Sequence, residues 1–250
     1  MARGAWVDRG GHVALRDVDV DLPAGAITAL IGANGSGKST LLHAIAALLP
    51  CQQGELRVLG EPPSEARRRV AYVLQSTTVP RQLPMTVREV VALGRAAARG
   101  AFGRLRADDH ARIDDAIDRL ELGPLARHHL GELSGGQRQR ALVAQGVAQA
   151  ADLLLLDEPV SGLDLPSQQR IREVMDAERA AGRAVVVATH DLGEAAGSDH
   201  AVLLAGRVVA AGPPVEVLTA AHLTEAYGGR LLRLDGGLVV LDEGSHHHHG

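Results

Sequence analysis

The 250-residue sequence predicts an α/β fold, a parallel sheet covered on both faces and interrupted by a helical insertion. Three observations carry this expectation. Short, nearly continuous apolar runs alternate with helical runs, as strands buried on both faces require. Between Gln75 and Ala150 that alternation gives way to helical patterns alone. No run reaches the roughly 18 apolar residues of a membrane span.

The elements follow in chain order. "AITALIG" reads as a buried strand and "KSTLLHAIAALL" as the helix after it. "VAYVLQ" is a further strand, ending at Gln75. In the insertion, "TVREVV" opens with the Thr86–Glu89 spacing of a capping box. Ile113, Ile117 and Leu120 share one face of the next helix. "ADLLLLD" and "AVVVATH" are strands, each followed by helical or turn sequence, and "AVLLAG" is another. "LLRLDGGLVVL" places Asp235-Gly236-Gly237 between two apolar runs, a plausible hairpin. The predicted division is a core of residues 1–75 and 151–228, a helical subdomain of 76–150, and a hairpin with a His-rich tail over 229–250.

Composition narrows the function classes. A net charge of −4 argues against a general nucleic-acid binder, and Arg67 to Arg69 read as a solvated face. Cys51 stands alone, so no internal disulfide is possible and a reducing compartment is expected. The N-terminus lacks the apolar core of a signal peptide. A cytoplasmic protein that meets any membrane from the side is the expectation.

"GANGSGKST" has the parts of a phosphate-binding loop between a strand and a helix. The backbone of Gly32, Asn34, Gly35, Ser36 and Gly37 can turn its N–H groups toward an anion, at the positive end of the helix that Lys38, Ser39 and Thr40 begin. Lys38 would reach the β- and γ-phosphates of a nucleotide such as ATP, and the Ser39 hydroxyl would ligate Mg²⁺. "LLLLDEP" ends a buried strand in Asp157, suited to hold Mg²⁺ through water, and Glu158, suited to polarise an attacking water. "VVVATHD" ends another strand in His190, within reach of a γ-phosphate if the strands are neighbours. Gln75, at a third strand end, can bond metal-bound or attacking water.

A second candidate cradle lies in "ELSGGQRQR". Ser134 and Gln137 have capping-box spacing, but Gly135 and Gly136 cost helix propensity, about 1 kcal/mol each relative to alanine. Close approach of a ligand would account for that cost. Because the first loop already encloses its own phosphates, the second would serve the nucleotide of another copy, in a head-to-tail dimer.

Together these motifs resemble the ATP-binding cassette (ABC) ATPases. "GANGSGKST" corresponds to Walker A, Gln75 to the Q-loop, "LSGGQ" to the signature, "LLLLDE" to Walker B, "SGLD" with Asp164 to the D-loop, and His190 to the switch histidine. The resemblance covers roughly residues 10 to 228. It implies a P-loop NTPase (RecA-like) core with a helical ABC signature subdomain, ATP and Mg²⁺ as ligands, closure of an ATP-sandwich dimer with a second ATPase subunit, and a separate membrane permease as the driven partner. No nucleic acid is expected: nothing between the P-loop and the signature has the heptads of a DNA-repair or chromosome-structure coiled coil.

"RRRVAYVLQ", "TVREVVALGR" and "GPPVEVLTAAHLTEAYGG" are similar to the bacterial zinc, manganese and iron importer subunits. That implies a metal-cation importer, zinc before manganese, fed indirectly by an extracytoplasmic solute-binding protein. A haem or siderophore importer, or an exporter, is the alternative. Permease docking is implied for roughly residues 76–107.

The family usually stacks an aromatic on adenine near the N-terminus, yet here Arg9 falls at that place, with Trp6 three residues before. A guanidinium can stack on a ring as well. Gln145 stands where relatives commonly have arginine, and no function follows from it. "DEGSHHHHG" reads either as a tag remnant or as a metal-binding tail.

Overall fold

The computed structural model describes residues 1–75, 84–99 and 104–228, with the backbone of 231–234 and 237–240. Strands β1 (Ala2–Arg9) and β2 (His12–Val20) open the chain. Strand β3 (Ile27–Ile31) leads to helix α1 (Lys38–Ile45), and β4 (Cys51–Leu56) returns to β1. A short α2 (Pro63–Ala66) precedes β5 (Val70–Val73). Three helices come next: α3 (Val87–Arg99), α4 (Ala107–Arg119) and α5 (Gly135–Gln149). The alternation resumes with β6 (Leu153–Asp157), α6 (Leu165–Ala180), β7 (Ala184–Thr189), α7 (Leu192–Ala196), β8 (His200–Leu204) and β9 (Val208–Gly212). Helices α8 (Pro214–Val217) and α9 (Ala220–Tyr227) and strands β10 (Leu231–Leu234) and β11 (Gly237–Val240) complete the description.

The central sheet runs β5-β6-β7-β3-β8-β9, parallel except for antiparallel β9 at its edge. Its strands are apolar throughout because both faces are covered. Ile27, Ala29 and Ile31 of β3 face the layer holding α3, α4 and α5, with Leu154, Leu156, Val185 and Val187 beside them. Leu30, Leu155, Val186 and Val202 point the other way, toward α1. This is the period-two alternation of a strand, with each face meeting its own core.

The sheet is covered on both faces as expected, but the two covering layers differ in kind. An antiparallel sheet, β2-β1-β4, covers α1 and the far face of the central sheet. Its alternation is broken by bulges along β1 and by left-handed backbone at Gly4 and Asp17, which hides the strand period in the sequence.

Within the insertion, Glu89 accepts from the Thr86 N–H at 2.8 Å, and Thr86 Oγ1 accepts from the Glu89 N–H at 3.3 Å, so both halves of that capping box form. Ile113, Ile117 and Leu120 are buried together in the core that packs against the central sheet. Asp109 is fully buried near the start of α4, where Arg95 and Arg99 of α3 donate to it at 2.8–3.2 Å. The Arg106 N–H, which donates to the same carboxyl at 2.9 Å, and then these side chains hold it well below the usual range. Arg95 also donates to the Ala148 and Gln149 carbonyls at the C-terminal end of α5. Arg119, last in α4, meets buried Glu178 of α6 at 2.7 Å, and Arg183 holds the same carboxylate. The helical layer is thereby tied to the sheet layer by charge as well as by packing.

Arg67 to Arg69 are exposed, Arg69 paired with Asp152 and Glu61. Strands β10 and β11 pair antiparallel from Leu231↔Val240 to Leu234↔Gly237. Asp235, Gly236, the histidine tail and, in the implied docking segment, residues 76–83 and 100–103 lie outside the described residues. Among the described residues, no helix is long and apolar enough to cross a membrane.

Candidate active site

Gly32, Gln75, Asp157 and His190 stand at or just beyond the C-terminal ends of the parallel strands, where an open α/β sheet leaves room for ligands. Gly32 follows β3 and opens the phosphate loop; Asn34 and Gly35 are exposed at its tip. Gly37 turns the chain into α1 with φ of 104°, and a Cβ there would sit 2.3 Å from Leu15 Cδ2. Only glycine satisfies both demands.

Lys38 is buried and donates to the Gly32 carbonyl at 2.6 Å and the Ala33 carbonyl at 3.2 Å. Burial pushes its pKa down, against the pull of Glu158 and Asp157 upward. A compact cation already stripped of water, on a flexible stem, is suited to meet a phosphate oxygen. Thr40 is buried at the helix base, and the buried Ser36 hydroxyl has no hydrogen-bond partner among the described residues.

Ser39 donates to Asp157 Oδ1 at 3.1 Å, joining α1 to the end of β6. Hydroxyl and carboxylate oxygens are the hard donors that Mg²⁺ takes, so this pair fits the ion that the sequence implies. Bound there, Mg²⁺ would neutralise phosphate charge. The second oxygen of Asp157 accepts from the Tyr72 hydroxyl at 3.1 Å. Burial and the neighbouring Asp157 carboxylate push the Tyr72 phenol well above its ordinary pKa. The sequence reading passed over Tyr72. Its position three residues before Gln75 was visible, but the strand pairing that brings it to Asp157 was not.

Glu158 adopts φ of 48°, a left-handed conformation uncommon outside glycine, and its N–H bonds the Ala188 carbonyl of β7 at 3.0 Å. The turn brings its carboxylate to 3.9 Å from Nδ1 of His190, which is half exposed at the end of β7. A cavity of about 120 Å³ opens beside these two, with Ser161, Gly162 and Gln168 along its wall. A larger cavity of about 270 Å³ lies at the other end of the strands, under β1 and β4, and none of the candidate groups line it. Gln75 is half-buried two residues beyond β5.

At the second cradle, Ser134 caps α5. The Gln137 N–H donates to its hydroxyl at 3.3 Å, and Gln137 Oε1 accepts from the Ser134 N–H at 3.0 Å. The two glycines separate in character. A Cβ on Gly136 would lie 2.6 Å from both Asp164 Oδ2 and Ser167 Oγ, so a contact within the chain accounts for it. Gly135 is exposed, and a Cβ there would have nothing within 4 Å among the described residues. Asp164 is the N-cap of α6, accepting from the Ser167 N–H at 2.9 Å.

Arg9 is exposed at the end of β1, and its charge adds to burial in lowering the His43 pKa. Its charge is therefore felt on α1, whereas half-buried Trp6 pairs across to Gln53 of β4. Arg9→Ala is expected to weaken ATP binding more than Trp6→Ala, by severalfold on a cation–π contribution of roughly 0.5–2 kcal/mol. A nucleotide titration giving the reverse ranking would overturn the choice.

The ABC transporter family profile matches residues 15–161, more than half of the chain. The chain belongs to the ABC transporter family. Among curated proteins, it is 43% identical over 218 residues to the zinc transport system ATP-binding protein TroB of Treponema pallidum, covering 87% of this chain and 82% of TroB. It is 42% identical over 233 residues to the hemin import ATP-binding protein HmuV of Streptomyces coelicolor, covering 90% and 82%. Among solved structures, a metal-chelate type ABC transporter in an inward-facing conformation aligns with a TM-score of 0.79 at 25% identity, over 96% of this chain and 94% of that one. The dimeric cassette MJ0796 bound to ADP and Pi gives 0.75 at 25% identity, over 85% and 97%. This ABC chain is an ATPase on the P-loop NTPase fold.

Proposed function

We propose that this ABC ATPase powers the uptake of a metal cation, zinc before manganese, through a separate permease. The observation that carries the cargo is the 43% identity to TroB over most of both chains. The likeness to HmuV is nearly as high, so a haem or siderophore cargo is the second reading. In this reading the protein works at the cytoplasmic face of the membrane, and a solute-binding protein on the other side acts on it only through the permease.

Lys38 and the loop from Gly32 to Thr40 hold the phosphates of ATP, with Arg9 against the base. Ser39 and Asp157 hold Mg²⁺, with Gln75 reaching its water. Glu158 takes a proton from the attacking water, and His190 contacts the γ-phosphate. Ser134, Gly135, Gly136 and Gln137 serve the nucleotide of a second subunit, with Asp164 beside them. The exposure of Gly135 supports that last assignment, because a Cβ there would meet nothing among the described residues.

The test is zinc and manganese uptake in the native host, wild type against Lys38→Ala. Loss of zinc uptake with manganese intact is the expected result. Loss of haem uptake with both metals unaffected would transfer the assignment to the second reading. Unchanged uptake of all three would reject it.

A further inference from the structure

We propose that Tyr72 is a positioning residue for Asp157, fixing the plane of the carboxylate that receives the metal. The inference rests on the reading of Ser39 and Asp157 as the Mg²⁺ site, and it concerns a residue that reading does not include.

An aspartate carboxylate is poorly fixed by its own side chain, because its last torsion is broad and roughly two-fold. Here both oxygens are engaged from different elements. Ser39 on α1 donates to Oδ1 at 3.1 Å, and Tyr72 on β5 donates to Oδ2 at 3.1 Å. The two bonds pull on opposite oxygens, so rotation of the group must break one of them. Hydrogen bonds to a charged acceptor are the stronger kind, which makes that rotation costly.

Tyr72 is itself held in place. In the parallel pairing of β5 and β6 it lies beside Leu155, and Asp157 is two residues further along the same face of β6. Its ring meets the edge of His43 on α1, with centroids 5.4 Å apart and planes at 89°. Strand, helix and ring contact together leave the hydroxyl little freedom. A phenylalanine would keep the packing against Leu155 and His43 and remove only the donor. Tyr72→Phe therefore separates positioning from packing.

The probe is Mn²⁺, followed by its electron paramagnetic resonance signal as it binds the full chain with a non-hydrolysable ATP analogue. The analogue is also titrated in EDTA, and thermal melting is recorded. Tyr72→Phe is expected to weaken Mn²⁺ binding about tenfold, the usual effect of removing an outer partner of a metal ligand. Analogue affinity in EDTA and the melting temperature are expected to stay at wild-type values. Unchanged Mn²⁺ affinity would overturn the proposal. So would an equal loss of metal-free analogue affinity or a lowered melting temperature, since either makes Tyr72 a packing residue. Asp157→Asn is run in parallel: if it leaves Mn²⁺ binding intact, the metal lies elsewhere and the site reading falls first. A loss with Asp157→Asn and none with Tyr72→Phe rejects the positioning role alone.

Discussion

Glu158→Gln is expected to slow ATP hydrolysis by roughly 10²–10⁴-fold while ATP affinity stays at the wild-type value. The replacement keeps size and shape and removes only the basic charge. Glu158 already sits in a left-handed turn anchored by its N–H on Ala188, so the backbone has no reason to move. The groups assigned to binding, Lys38, Ser39 and Asp157, belong to the start of α1 and to the end of β6, and keep their own hydrogen bonds. The rate loss corresponds to about 3–5 kcal/mol of barrier. A single-turnover assay beside a nucleotide titration reads both quantities. Chromatography with ATP should also show a longer-lived dimer, because a nucleotide that is not cleaved keeps both cradles filled. Wild-type turnover by this variant would remove Glu158 from the chemistry.

Gly94→Ala is expected to destabilise the fold by about 2–4 kcal/mol. A Cβ on Gly94 would lie 2.0 Å from the Gln145 carbonyl oxygen and 3.1 Å from its carbon. Alanine favours a helix over glycine by about 1 kcal/mol, which works in the opposite direction. The obstacle is backbone in the middle of α5, however, so α3 must separate from α5 rather than shift a side chain. The next residue, Arg95, would then lose its bonds to the Ala148 and Gln149 carbonyls. Urea unfolding of the two proteins measures the difference, and an equal or higher midpoint for the variant would show that the helices can part at no cost. The contact also gives Gln145 a structural part through its carbonyl; its side chain remains without a role.

The phosphate loop was legible because its demands are local. Glycines, a lysine and a hydroxyl must follow one another at fixed spacing between a strand and a helix, and all of that is written consecutively. Asp157 and His190 were legible as polar residues ending apolar runs. Tyr72 was not, because its hydroxyl matters only once β5 is known to lie beside β6, and adjacency between parallel strands leaves no mark on either. The sheet of β1, β2 and β4 was missed for another reason. Its bulges interrupt the two-residue alternation by which a half-buried strand is recognised. At the second cradle, capping was predictable from Ser134 and Gln137. The reason for Gly136 was not, because Asp164 and Ser167, which reach it, lie 28 and 31 positions further along the chain.

The order β5-β6-β7-β3 works as a graduated scale. Gln75, Asp157, His190 and Gly32 each stand at or just beyond the end of one strand, and neighbouring strands lie about 4.8 Å apart whatever their side chains. Four leucines in β6 and three valines in β7 keep this spacing equally well, because backbone hydrogen bonds set it. The core can therefore drift far in sequence without moving the reactive groups relative to one another. What the scale does not tolerate is a slip of one residue along a strand. That would displace a strand end by about 3.3 Å and turn its apolar side chains to the wrong face. Insertions and deletions should accordingly be excluded from these four- to six-residue strands long before substitutions are.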